Sequence, residues 1–287
     1  MRDNDDMETT MRSDGFGYGV RAWMARIVLA CSSAAMGIAC ASVTAANARF
    51  ECVALHGGSL SNGNLGAFDN VCVHGASSGR SLLLGLLGFC TIVLTESLVV
   101  WLPRRFPGVR RVTRLTGIGW TPFLLYALGV WFTHGLASGV WFGAVNSWTP
   151  VAWGVAGVDA VAAWGIEGMR TLQIDRGRGI VTQVSRIGVD AEKRNVMLYV
   201  AAVVILMAIQ FGDLGLVITG TGIPVLAMWI VAPVGALIVS MLLRHADSPS
   251  GYGKAMIAQQ VMTLLCTVAM CVACWSDASR IVGLMTA

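Results

Sequence analysis

The sequence predicts an all-α fold, a polytopic membrane protein built as a seven-transmembrane helix bundle with its N-terminus inside and its C-terminus outside. Three observations predict it. Of 287 residues, 55% are hydrophobic and only 13% charged, with a mean hydropathy of +0.68, beyond the range of ordinary soluble domains. The apolar residues fall in seven continuous runs, each close to the roughly 20 residues that a spanning helix needs. The cations alternate between connecting segments: the N-terminal segment through Arg26, 103–117, 170–194 and 244–254 hold 17 of the 20 Lys and Arg residues, and the alternate segments hold Arg49, Arg80 and Arg280. Positive charge stays on the cytoplasmic side of short loops, so this alternation fixes the orientation. The long runs exclude a β-barrel, whose strands would alternate apolar and polar residues. The net charge of +4 is explained by these loops and does not point to nucleic acid.

A cytoplasmic tail, 1–21, precedes the first span at 22–46. Its end, TAANA at 44–48, is similar to a small-residue signal cleavage site, but the apolar core before it is too long for a signal peptide. The segment 47–79 is then the long external loop, rich in Gly, Asn and Ser, which suit turns. It carries Cys52 and Cys72, which are expected to pair as a disulfide in an oxidising compartment and close a loop worth about 3 kcal/mol; the alternative is two unpaired thiols. The second span, 80–102, holds Glu96 in VLTESLVVW. The third, 118–143, holds His134 in WFTHGLASG, with Gly135 and Gly139 at a spacing that permits close helix contact. The fourth, 150–169, holds Asp159 in VAGVDAVAAW, and Glu167 lies one turn from Arg170 as an interfacial ion pair. The fifth, 195–217, ends in IQFGD, where Gln210 and Asp213 lie near water. The sixth is 222–243. The seventh, 255–275, is followed by an external tail, 276–287. The seven spans with their loops form one domain, 22–275.

Ionisable groups inside a membrane cost roughly 2.5–3.5 kcal/mol each on insertion scales, which makes Glu96, His134 and Asp159 the candidate polar residues. Each has two readings: a neutral side chain hydrogen-bonded to a neighbouring helix, or a member of a proton or ion path. The tryptophans Trp131, Trp141, Trp148, Trp153, Trp164 and Trp229 fit core packing or an interfacial belt. The last span reads CTVAMCVACWSDASR, 266–280, whose sulfurs would suit a soft metal such as Cu(I). At 100° per residue the pair Cys266 and Met270 diverges from the pair Cys271 and Cys274, so no metal site is expected. There is no N-x-S/T sequon, H-E-x-x-H or P-loop, and no enzymatic activity is expected.

Seven spans, an internal N-terminus, an external C-terminus and one long external loop after the first span together resemble the heliorhodopsins, the inverted branch of the microbial rhodopsin superfamily. That family's last span carries a pattern like V-A-K-S-x-x-x-W, and Val268, Ala269, Met270, Cys271 and Trp275 fit this frame. The VDA at 158–160 and the sixth-span entry at Ile223 and Pro224 are similar too. The resemblance implies that Met270 stands where the family's lysine carries retinal, and methionine forms no imine. Lys193 and Lys254 are the only lysines, and both flank spans on the cytoplasmic side. The family's third-span glutamate counterion, two residues after a Trp, falls on Pro122 after Trp120. Both halves of the ion pair are therefore missing.

The function expected is that of a heliorhodopsin-like, non-pumping sensor, scaffold or apolar-ligand-binding protein without covalent retinal and without another cofactor. Its candidate cavity is lined by Met270, Trp229, Trp164 and Tyr126. The first alternative is a transporter or channel using Glu96, His134 and Asp159; the second is a structural or partner-binding membrane protein. The expected partners are the lipid bilayer, an apolar ligand and a second copy of the chain.

Overall fold

The computed structural model describes residues 23–47, 78–105, 120–138, 146, 148–177, 181–212 and 222–286. They form eight helices in chain order: α1 (23–47), α2 (Ser78–Arg105), α3 (Trp120–Ser138), α4 (Trp148–Gly177), α5 (Gln183–Ile187), α6 (Val189–Gly212), α7 (Gly222–Arg244) and α8 (Pro249–Thr286). No strand occurs among the described residues. Within the described residues each apolar run of the sequence falls on one long helix. By length and composition, α1 and α8 are apolar enough to cross a membrane.

Prolines mark the helix starts, because the first turn has no intrahelical partner for the N–H they lack. Pro122, Pro150, Pro224 and Pro249 sit in the first turns of α3, α4, α7 and α8; Pro233 alone stands well inside α7. The short α5 has a capping box: the Thr182 hydroxyl accepts from the Ser185 N–H and the Ser185 hydroxyl accepts from the Thr182 N–H. It ends at Gly188, whose φ of 88° is in the left-handed region that suits glycine. The seventh run is longer as a helix than as an apolar stretch. Nothing in SDASRIVGLM breaks α8 after 275, and Ile281 still packs against the core. The expected tail 276–287 is therefore helical through Thr286.

Contacts order the long helices as an up-and-down bundle. The start of α1 meets the end of α2 through Arg26 and Glu96, and the end of α1 meets the end of α3 through Thr44 and His134. Neighbours in sequence pack as α2·α3, α3·α4, α4·α6, α6·α7 and α7·α8, and α8 returns to α4. Helix α4 is the hub. Its Ala152, Val155, Ala156, Asp159, Ala160, Ala162, Ala163 and Ile166 are buried on one face and Gly157, Val161 and Gly165 on the others, and small residues let its neighbours approach. A Cβ on Gly165 would meet Glu192 and Val196 of α6, and one on Gly157 would meet Phe123 of α3.

Large apolar side chains face outward as well as into the core. Leu83, Leu86, Leu87, Leu94 and Leu98 of α2, Leu124 and Leu128 of α3, and Leu198, Ile205 and Ile209 of α6 point outward. So do Leu237 and Ile238 of α7 and Val261, Leu265, Val268 and Val272 of α8, with Trp275 as much as 73% exposed. Glu96, His134, Asp159, Arg170, Glu192 and Gln259 are buried.

The α1–α3 contact gives a stability prediction. A Cβ at Gly37 would lie 2.8 Å from both the Val130 carbonyl oxygen and Thr133 Cβ, and backbone cannot move aside cheaply. Gly37→Ala should cost about 1–3 kcal/mol, read as a lowered melting temperature in detergent, whereas Gly177→Ala, with open space around it, should melt as wild type.

Candidate functional site

Three polar layers cross the interior, each anchored on α4. The first lies at the end of the bundle where α1 begins. Arg26 Nε stands 3.3 Å from Glu96 Oε1, and the Tyr126 hydroxyl donates to Glu96 Oε2 at 2.5 Å. The Trp164 indole faces the same carboxylate without reaching hydrogen-bond geometry. One turn further along α4, Arg170 Nε stands 3.1 Å from Glu167 Oε2, and Arg26 also faces Glu167. Two guanidinium groups thus balance two carboxylates. The sequence-predicted pair of Glu167 and Arg170 is present, but Arg170 is buried, so the pair belongs to the core and is not a solvated surface bridge.

The middle layer is centred on Asp159. Gln259 Nε2 of α8 donates to Asp159 Oδ1 at 3.2 Å and lies equally far from the Asp159 carbonyl oxygen. The Thr263 hydroxyl donates to Asp159 Oδ2 at 3.0 Å. Gln259 and Thr263 are one turn apart on the face that continues through Cys266 and Met270, which is why one α8 stripe can serve both carboxylate oxygens. Asp159, Gln259 and Met270 have no solvent-accessible surface.

The third layer closes the opposite end. Asn146 Oδ1 accepts from the backbone N–H groups of Trp148 and Thr149 and from the Thr149 hydroxyl, capping α4. Its amide nitrogen donates to the Cys40 carbonyl at 2.7 Å and to the Thr44 hydroxyl at 2.8 Å. His134 Nε2 meets the same hydroxyl at 3.0 Å. The Trp148 indole donates to Asp277 Oδ2 of α8 at 3.0 Å, so Asp277 lies in an interhelical contact and not in a free tail.

The three polar residues read from the sequence therefore occupy separate layers. Along α4, Trp164 and Asp159 are about 7.5 Å apart, and Asp159 is about 17 Å from Trp148, at 1.5 Å per residue. Of the four residues expected to line one cavity, Tyr126 and Trp164 belong to the first layer. Met270 is about 10 Å beyond Thr263 in the other direction along α8. Tyr126 and Met270 have no accessible surface, so no space of water size adjoins either side chain. Trp229 lies on α7, its side chain outside the described residues, as are Cys52 and Cys72.

On α8, Met270 and Cys274 fall on the same buried side, and Cys40 of α1 faces Cys271 and Cys274. The sulfurs are thus less divided than the 100° spacing suggested, because Cys274 is one turn beyond Met270. Cys271 and Cys274 are in C-x-x-C spacing within the helix and both are free thiols. Among the described residues no group of His, Cys, Asp and Glu has metal-binding geometry. Arg26, Gln259, Thr263 and Asn146 were not singled out by sequence; the i, i+4 pair of Gln259 and Thr263 in an apolar run is the signal that points to a partner on another helix.

No family model matches the chain, and neither a curated protein nor a solved structure matches it.

Two outcomes test the polar contacts. Tyr126→Phe leaves Glu96 Oε2 without its donor and should cost about 1–3 kcal/mol, measured as a lowered melting temperature that Glu96→Gln alone does not reproduce additively in the double variant. Glu192, buried at the start of α6, accepts from Gln183 at 3.0 Å, and burial pushes its carboxyl above the usual range against the hydrogen bonds of Gln183 and Asn195. Its folded form favours the proton, so its stabilisation is complete below the unfolded value near 4.3 and is lost as pH rises through the raised value. A pH series of melting temperatures should show that decline, and Glu192→Gln should remove this step.

Proposed function

We propose that the chain is a seven-span helical membrane protein of heliorhodopsin-like plan, with its N-terminus in the cytoplasm. It acts as a non-pumping sensor or scaffold without covalently bound retinal. The observation that carries the reading is Met270. It stands where the resemblance puts the retinal lysine, it is fully enclosed by packing, and the chain's only lysines, Lys193 and Lys254, lie at helix starts on α6 and α8.

The membrane part of the reading is supported by the outward Leu and Ile side chains and the inward Glu, Asp, His, Arg and Gln. In hydrocarbon, lipid replaces water outside, and polar groups must find partners inside. The seven long helices, their up-and-down order and the alternation of cations support the span number and orientation. The lack of free surface at Met270 and Tyr126 favours a packed scaffold over a receptor with a retinal-sized cavity. The same packing weighs against transport through Glu96, Asp159 and His134, because apolar side chains without accessible surface lie between Asp159 and His134.

Purified protein mixed with all-trans retinal should give only the absorption of free retinal. A red-shifted visible band that hydroxylamine bleaches would contradict the proposal. Met270→Lys should also fail to form a pigment, since a lysine there has no cavity in which to place the polyene; pigment formation would overturn the packed-core account.

A further inference from the structure

Helix α4 is longer than a membrane core is thick. Its apolar stretch closes at Glu167 and Arg170, about 30 Å from Trp148 at 1.5 Å per residue, which is the thickness of a hydrocarbon core. Gly177, the last residue of α4, lies about 10 Å further out. The chain then comes back. Val184 of α5 is buried, and its Cγ2 would lie 3.0 Å from a Cβ on Gly168. Helix α5 therefore packs on the side of α4 at the level of Glu167 and Arg170, and Gln183 ties it to Glu192 at the start of α6. That level is the boundary between acyl chains and headgroups.

What α5 and the start of α6 present there is both apolar and cationic. Val181 and Ile187, on either side of the buried Val184, are 49% and 43% exposed. Arg176, Arg186 and Arg194 are exposed and form no ion pair among the described residues. Arg194 lies between Glu192 and Val196, the two residues that a Cβ on Gly165 would meet, so it stands at the same level. The stretch 170–194 carries six cations against three carboxyl groups. Two of the three are engaged within the protein, Glu192 with Gln183 and Asp175 with the Thr171 hydroxyl; Asp190 is the exposed one. We infer that this face is a docking surface for anionic phospholipids of the cytoplasmic leaflet, with Arg186 and Arg194 on their phosphates and Val181 and Ile187 against the acyl chains beneath. The inference rests on the membrane reading proposed above. A guanidinium fork matches phosphate oxygens in pairs, and an arginine stem can lie along apolar surface while its head stays among the headgroups. Short elements that show apolar and basic residues together lie in the plane of the interface and are drawn to anionic lipid. A soluble acidic partner would find the cations but would leave Val181 and Ile187 uncovered.

The test compares the full chain in nanodiscs of phosphatidylcholine alone and of phosphatidylcholine with about 30% phosphatidylglycerol. The anionic lipid should raise the melting temperature by about 3 °C or more at about 50 mM NaCl, and by less than half as much at about 500 mM, where salt screens the phosphates. The double variant Arg186→Gln, Arg194→Gln should lose at least half of the rise, and so should Ile187→Ser, which changes no charge. Lys254→Gln, which removes an exposed cation of α8, should keep it. A full response in the double variant or in Ile187→Ser would overturn the proposal, as would an equal rise when soluble polyglutamate replaces the anionic lipid. A chain that incorporates and melts alike in both lipid compositions would overturn this proposal alone. A chain that stays in solution without detergent or lipid would overturn the membrane reading and this proposal with it.

Discussion

The contact of Asp159 with Gln259 and Thr263 is the interaction on which the arrangement of the bundle most depends. It joins the central helix, α4, to the longest one, α8, at a level where both are enclosed. A carboxyl placed there without donors would carry a desolvation cost of several kcal/mol. The contact therefore fixes both the rotation of α8 about its axis and its height against α4. The rest of the α8 face follows from that rotation: Tyr252 and Met256 before the contact, Met262 within it, and Cys266, Met270 and Cys274 beyond it, all turned inward. Val261, Leu265, Val268 and Val272 are turned outward by the same geometry.

The first and third layers extend this logic to the two ends. Interhelical hydrogen bonds inside membrane proteins contribute about 0.6 kcal/mol on average and rarely more than about 1.7. No single contact holds the bundle together on that scale. Their value is in specificity: Asn146 accepts from the start of α4 and donates to α1, so it fixes the height of α1 against α4. Arg26 and Tyr126 bring α1 and α3 onto Glu96 of α2. Close packing at Gly37, Gly88 and Gly165 then supplies dispersion along the interfaces that the polar contacts have registered.

The helices were legible because a continuous apolar run has one hydrogen-bonded solution in hydrocarbon, and within the described residues each run falls on one long helix. Helix ends were less legible. SDASRIVGLM is too polar to count as a span, yet it contains no breaker, so α8 continues through it. The five-residue α5 has too short a pattern for periodicity and depends on the cap at Thr182. Glu96, His134 and Asp159 stood out as costly residues, and all three are buried. Their partners did not stand out, because Arg26, Asn146, Gln259 and Thr263 are distant in sequence and carry no motif. The levels of Tyr126 and Met270 were not legible for a related reason: both are enclosed, but depth along the axis depends on register between helices, which no single run encodes.

The seven bilayer crossings proposed for the apolar exterior and the buried polar layers are an odd number, which puts the two termini on opposite sides. A reporter active only in the cytoplasm, fused before Met1 in one version and after Ala287 in another, measures this directly in intact cells. Activity is expected from the N-terminal fusion and none from the C-terminal one, with the pattern reversed for a reporter active only outside. Both fusions reporting from the same side would contradict it.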